Sequence, residues 1–104
     1  MILERAIFAI KPGTRKEFEA AFALVRPLIE AAKGFQKLEM RHGVETPDSY
    51  LLLVWWNTVE DHMKGFRESE AFAEWRKHLG PFFASAPAVE HYEETLWEHR
   101  PGVR

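Results

Sequence analysis

His62, His78, His42 and His91 carry the side chains that titrate nearest neutrality, so they are the first candidates for proton transfer or metal ligation. Their spacing fits neither H-x-x-x-H nor H-E-x-x-H, the patterns that set two imidazoles on one helix face, and no metal is expected. His62 stands out because Met63 and Phe66 flank it. The plainer reading of each histidine is a surface or rim residue. Asn57 is the only Asn in the chain. Its amide can hold an enolate, or it can simply cap the helix that follows. Tyr50 and Tyr92 can donate to a substrate oxygen or cover a sheet edge. Glu93 and Glu94 are adjacent, so a strand sends them to opposite faces and they make no paired acid–base site. With no cysteine, disulfides, thiolate metal sites and a Cys nucleophile are excluded.

The elements that must position these groups are legible from periodicity. The run Leu51-Leu52-Leu53-Val54-Trp55-Trp56 is apolar on both faces of a strand. The chain offers only enough helix to cover one face of a small sheet, so the second face requires another molecule. Trp55 and Trp56 point to opposite sides; one lines a pocket under the helices and the other seals a dimer, and the pattern does not say which. A first strand covers residues 3–10 and ends at Lys11-Pro12-Gly13. Thr14 and Glu17 form a T-x-x-E capping box that opens helix 1, whose stripe is Phe18, Ala21, Phe22, Val25, Leu28, Ile29 and Ala32. Pro27 predicts a kink or break near residues 23–27, and Gly34 ends the helix.

A second strand alternates through residues 35–42, and Gly43 to Asp48 reads as a turn. After the strand at residues 50–56, Asn57 or Thr58 caps a short helix carrying His62, Met63 and Phe66. It breaks between Gly65 and Ser69, and Ser69 caps a further helix bearing Phe72, Trp75 and Leu79. Core packing is the simpler role for Trp75. Residues 88–97 alternate as a fourth strand, leaving a polar tail at 98–104. The order β-α-β-β-α-β predicts an α+β, ferredoxin-like fold with a four-stranded antiparallel sheet and its helices on one face.

Composition bounds the function. A chain of 104 residues with 46% hydrophobic and 13% aromatic content is one globular domain. A net charge of −2 with interspersed signs favours neither nucleic acid nor a membrane surface. No apolar run reaches the roughly 20 residues of a bilayer span, and Met1 to Arg5 does not begin a signal peptide, so a cytoplasmic location is expected.

Taken in order, the segments Lys11-Pro12-Gly13-Thr14, Glu17-Phe18, Gly34-Phe35, Val54-Trp55-Trp56-Asn57, Glu60-Asp61-His62, Phe66, Ser69, Phe72 and Trp75-Arg76-Lys77-His78 resemble the antibiotic-biosynthesis monooxygenase family of dimeric α+β barrels. The resemblance spans about residues 3–97, read as one domain. It implies a homodimer with sheets packed face to face and a pocket in each subunit between sheet and helices. It also implies oxidation of a small aromatic or phenolic compound by molecular oxygen, with no cofactor. A haem-degrading branch of the family uses an Asn, a Trp and a His at positions that here hold Ala6, Phe66 and Arg76. His78 lies about 200° round the helix from Arg76 and is no substitute. Haem degradation, or haem binding through His62 or His78, is therefore the less expected chemistry. Asn57, His62 and Arg76 are the expected catalytic set, Arg76 pairing with a phenolate or carboxylate unless it joins a surface ion pair with Glu68 or Glu74. Ala6, Phe8, Trp55, Trp56, Phe66 and Trp75 are the expected pocket lining. A non-catalytic small-molecule-binding or regulatory dimer on the same fold is the alternative.

Overall fold

The computed structural model describes residues 1–102, so the last two residues of the expected tail lie outside the described residues. The elements are β1 (Ile2–Ala9), α1 (Arg15–Glu30), β2 (Phe35–His42), β3 (Ser49–Trp56), one turn of π-helix (Asp61–Phe66), α2 (Glu70–Leu79) and β4 (Ala88–Tyr92). The sheet order is β2-β3-β1-β4, and every adjacent pair is antiparallel. This is the ferredoxin-like α+β architecture.

The pleat sorts the central strands into two faces. On β1, Glu4, Ala6 and Phe8 are buried, and on β3 Tyr50, Leu52, Val54 and Trp56 are buried, while the residues between them are half-exposed. The buried set meets Phe18, Phe22, Val25 and Ile29 of α1 and Trp75 and Leu79 of α2. Phe22 and Trp75 meet edge to face at 5.6 Å and join the two helices over the sheet. The ambiguity of the apolar run is thereby resolved: Leu52, Val54 and Trp56 face the helices. Leu51, Leu53 and Trp55 belong to the opposite, uncovered face, where Lys37 Nζ lies 4.7 Å from the Trp55 ring centroid.

Several local expectations are corrected. Thr14 Oγ1 donates to Lys11 O at 2.6 Å instead of accepting from the helix, so no capping box forms; the first helical bond is Phe18 N–H to Thr14 O at 2.8 Å. α1 runs through Pro27 unbroken. The bond that Pro27 cannot make is owed to Ala23, and both residues are exposed, so water can serve that carbonyl. The fourth strand stops at Tyr92 rather than residue 97. Among the described residues its only neighbour is β1, and pairing from Ile7↔Ala88 to Leu3↔Tyr92 already nears Met1. Leu96 and Trp97 are consequently 86% and 87% exposed.

α1 ends at Glu30, so Gly34 is not its cap but the turn into β2. Its φ of +84° is left-handed, and an added Cβ would fall 2.0 Å from Asp61 Oδ2 and 2.7 Å from Asp61 Cβ. Gly34 O also accepts from Asn57 N at 2.8 Å, tying this turn to the end of β3. Gly34→Ala should therefore lower stability by about 1–3 kcal/mol. In urea the midpoint should fall with an unchanged slope; an unchanged midpoint would refute the close packing described.

Candidate functional site

Because β1 presents Glu4, Ala6 and Phe8 to the helices, a carboxyl group sits on an otherwise apolar floor. Glu4 is 4% exposed. Trp56, beside it on β3, donates its indole Nε1–H to Glu4 Oε1 at 2.9 Å. The register places Glu4 directly opposite His91 on β4 and Val54 on β3. His62 enters from above on the π-helical turn. That turn is wide because Arg67 N–H reaches back five residues to His62 O at 2.9 Å.

These placements build one cluster. The His62 ring stacks on Trp56 with centroids 5.2 Å apart and planes at 21°. Its Nδ1 lies 2.8 Å from His91 Nε2, and its Nε2 lies 3.4 Å from Glu4 Oε1. His62 is 4% exposed, whereas His91 is only half-buried on the edge strand. Both nitrogens of His62 are thus directed at protein groups, one toward the interior carboxyl and one toward the rim.

Burial sets the protonation of the cluster. Desolvation pushes the Glu4 carboxyl up to about 7, outweighing the Trp56 hydrogen bond and the positive field of Arg67. Desolvation pushes the His62 imidazole down to about 3, helped by His91 and Arg67. His91 is lowered as well, first by burial and then by Arg67. Below neutrality the proton of the pair therefore stays on the carboxyl rather than on the imidazole. Near neutrality Glu4 changes charge within an apolar chamber.

That chamber is a cavity of about 490 Å³ between the sheet and α2. Glu4, Ala6, Phe8 and Leu52 form its floor, Phe66, Phe72 and Trp75 its helical wall, and Ala86, Pro87 and Val89 the side toward β4. Arg67 and Arg76 stand at its rim with their guanidinium carbons 5.6 and 5.9 Å from the Phe72 ring centroid. Arg76 makes no ion pair with Glu68 or Glu74 among the described residues; Glu74 instead lies 3.5 Å from His78.

The structure brings His62, Arg76, Ala6, Phe8, Phe66 and Trp75 together around this cavity. Trp56 is fully buried behind His62 and Glu4 and supports the site from beneath. Trp55 is a correction: alternation along β3 sends it to the uncovered face. Asn57 also stays outside the cavity. It is exposed at the end of β3, where its Oδ1 accepts from Gln36 Nε2 at 2.7 Å, and the capping role falls to Thr58, whose Oγ1 accepts from Asp61 N at 3.1 Å. His78 and His42 lie away from the cavity lining. Sequence reasoning missed Glu4 and Arg67, and it left His91 as a candidate imidazole whose plainer reading was a surface or rim residue. For Glu4 a signal existed: it is the one acidic residue on the β1 face that also carries Ala6, Phe8 and Ile10.

Among the described residues no helix is long and apolar enough to cross a membrane. The model of the antibiotic biosynthesis monooxygenase family matches residues 1–78. The uncharacterized protein YczJ of Bacillus subtilis (strain 168) is 40% identical over 95 residues, which are 91% of this chain and 100% of that protein. A candidate antibiotic biosynthesis monooxygenase from Bordetella bronchiseptica, known from a crystal structure, is 41% identical with a TM-score of 0.87, covering 91% of this chain and 97% of that one. A monooxygenase from the gene ActVA-Orf6 of Streptomyces coelicolor, solved in complex with the ligand Nanaomycin D, shares the fold at a TM-score of 0.78 and 17% identity, over 96% of this chain and 92% of that one. A family match over most of the chain, joined to two relatives near 40% identity, establishes that this protein belongs to the antibiotic biosynthesis monooxygenase family.

Proposed function

We propose that the protein is a cofactor-independent monooxygenase acting on a small phenolic compound held in the cavity between sheet and helices. The observation that carries this reading is the Glu4 carboxyl, buried on the apolar floor with its ionisation moved to about 7. A carboxylate so placed is a stronger base than an exposed one and can take a phenolic proton at neutral pH. The resulting electron-rich anion passes an electron to molecular oxygen. One oxygen atom enters the ring carbon, and the other leaves with two substrate hydrogens as water. Phe66, Phe72 and Trp75 suit a planar ring, and Arg76 at the rim suits the oxyanion. The Streptomyces neighbour with its bound Nanaomycin D supports ligand binding by this fold. Asn57, exposed and paired with Gln36, has no part in this reading, whereas His62 contacts the base.

Oxygen uptake with a panel of hydroquinones tests the proposal. The rate should rise with pH through an apparent pKa of about 7 as Glu4 ionises. Glu4→Gln, which keeps an acceptor for Trp56, should cut kcat by about a hundredfold or more. No uptake by the wild type with any hydroquinone would overturn the assignment as an enzyme and favour a ligand-binding role.

The same ionisation predicts a stability effect. The folded value for Glu4 lies above its ordinary 4.5, so its stabilising contribution is complete below 4.5 and is lost as pH rises to about 7. His62 behaves oppositely: its folded value of about 3 lies below 6.5, so its contribution is complete above 6.5 and is lost as pH falls. Between 4.5 and 6.5 the two slopes oppose each other. Glu4→Gln removes only the first slope. The variant should therefore gain on the wild type as pH rises, by roughly 2–3 kcal/mol at alkaline pH, read from urea unfolding at several pH values. An inactive variant that is more stable is the expected signature of a functional buried acid.

We further propose that the protein works as a homodimer joined through the uncovered sheet face. Leu51, Leu53, Trp55 and Ile7 lie there half-exposed, and Arg5 Nε is buried without a hydrogen-bond partner among the described residues. Leu53→Glu should leave the fold intact and yield a monomer in sedimentation analysis. A dimer that survives this charge would refute the face.

A further inference from the structure

We infer that His91 and His62 form a proton relay that connects the buried Glu4 carboxyl to solvent at the β4 edge. The inference rests on the reading of Glu4 as the base. It is carried by the order of contacts, His91 Nε2 to His62 Nδ1 at 2.8 Å and His62 Nε2 to Glu4 Oε1 at 3.4 Å, and by burial: Glu4 and His62 are equally buried, and His91 at the edge is only half-buried. A base buried on the floor of an apolar cavity holds one proton and must lose it before it can act again. The cavity walls of Ile29, Leu52, Phe66, Phe72 and Trp75 offer that proton no acceptor.

An imidazole is the side chain able to accept at one nitrogen while donating from the other. In the outward step the Glu4 O–H proton moves to His62 Nε2. The His62 Nδ1–H proton moves to His91 Nε2, and the His91 Nδ1–H proton goes to water. Each ring gains one proton and gives up one, so neither need become an imidazolium. That suits His62, which burial holds neutral. The reverse transfer returns a proton for the oxygen atom that leaves as water, and it restores both tautomers. The 3.4 Å gap between Glu4 and His62 is the contact that must shorten when substrate fills the cavity.

Charged and titratable groups around the relay fit this role. Facing His62 are Glu4 from β1, His91 from β4 and Arg67 just beyond its own turn, while Arg76 from α2 lines the same cavity. Arg67 supplies a positive field that disfavours charging either imidazole. The stack on Trp56 fixes the His62 ring plane. His91 touches no substrate and acts only through His62 and Glu4.

Two variants of His91 test the relay. His91→Ala removes the outer group, and His91→Gln keeps a hydrogen bond to His62 but cannot pass a proton. With the hydroquinone that the wild type oxidises best, both should lose about tenfold in kcat in weak buffer with KM unchanged. Added imidazole should restore His91→Ala in proportion to its concentration. Solvent exchange of the His62 ring N–H, followed by NMR without substrate, should slow about tenfold in His91→Gln while backbone amide exchange of β1 and β3 stays the same. An unchanged kcat, or ring exchange as fast as in the wild type, would overturn the relay. If the wild type oxidises none of the hydroquinones, the proposed reaction fails, and ring exchange alone decides whether the relay exists.

Discussion

The covering of one face only of the β1–β3 pair is the constraint from which the rest of the molecule follows. These are the two central strands, and α1 and α2 both lie over the same side. Glu4, Ala6, Phe8, Leu52, Val54 and Trp56 are thereby committed to the interior. Their neighbours Arg5, Ile7, Leu51, Leu53 and Trp55 are committed to the open face. A shift of one residue in either strand would exchange the two sets. It would take the Glu4 carboxyl out of the cavity and put Arg5 or Leu3 in its place.

Glu4 is the exception that this register imposes on an apolar surface. A buried carboxyl without partners is expensive, and here the cost is reduced in two ways. Trp56 donates a hydrogen bond to it from the adjacent strand, and the group keeps its proton to about 7 instead of carrying charge. His62 is treated in the same manner, stacked on Trp56 and held neutral. The surroundings of both residues are those of acid–base groups tuned by desolvation, and they line the chamber under the helices rather than the surface.

The element order, the amphipathic stripe of α1, the Ser69 cap and the two-faced β3 run were all legible from periodicity and cap chemistry. Ser69 does accept from Phe72 N at 3.2 Å. Phe66, Trp75, Ala6 and Phe8 were expected at the pocket on the family resemblance, and they line the cavity. Local signals misled where a tertiary partner was stronger. Thr14 turns back to Lys11 rather than capping α1, and Asn57 yields the cap to Thr58 and binds Gln36. The alternation of residues 88–97 is a sound strand pattern, but beyond Tyr92 only Ile2 of β1 remains for it to pair with.

The fold class, the family resemblance and the need of one strand for two apolar surroundings depend on spacing along the chain, and so were already legible there. Which tryptophan turns to the helices, and which histidine meets which carboxyl, emerges only when the strands pair and the helices pack on them. Glu4, His62 and His91 are separated by 58 and 29 positions, and no local pattern links them. They meet because β1 pairs with β4 in one register and the π-helical turn after β3 returns over that pair. Their protonation likewise depends on the depth of burial, which is a property of the packed molecule and not of any segment of the chain.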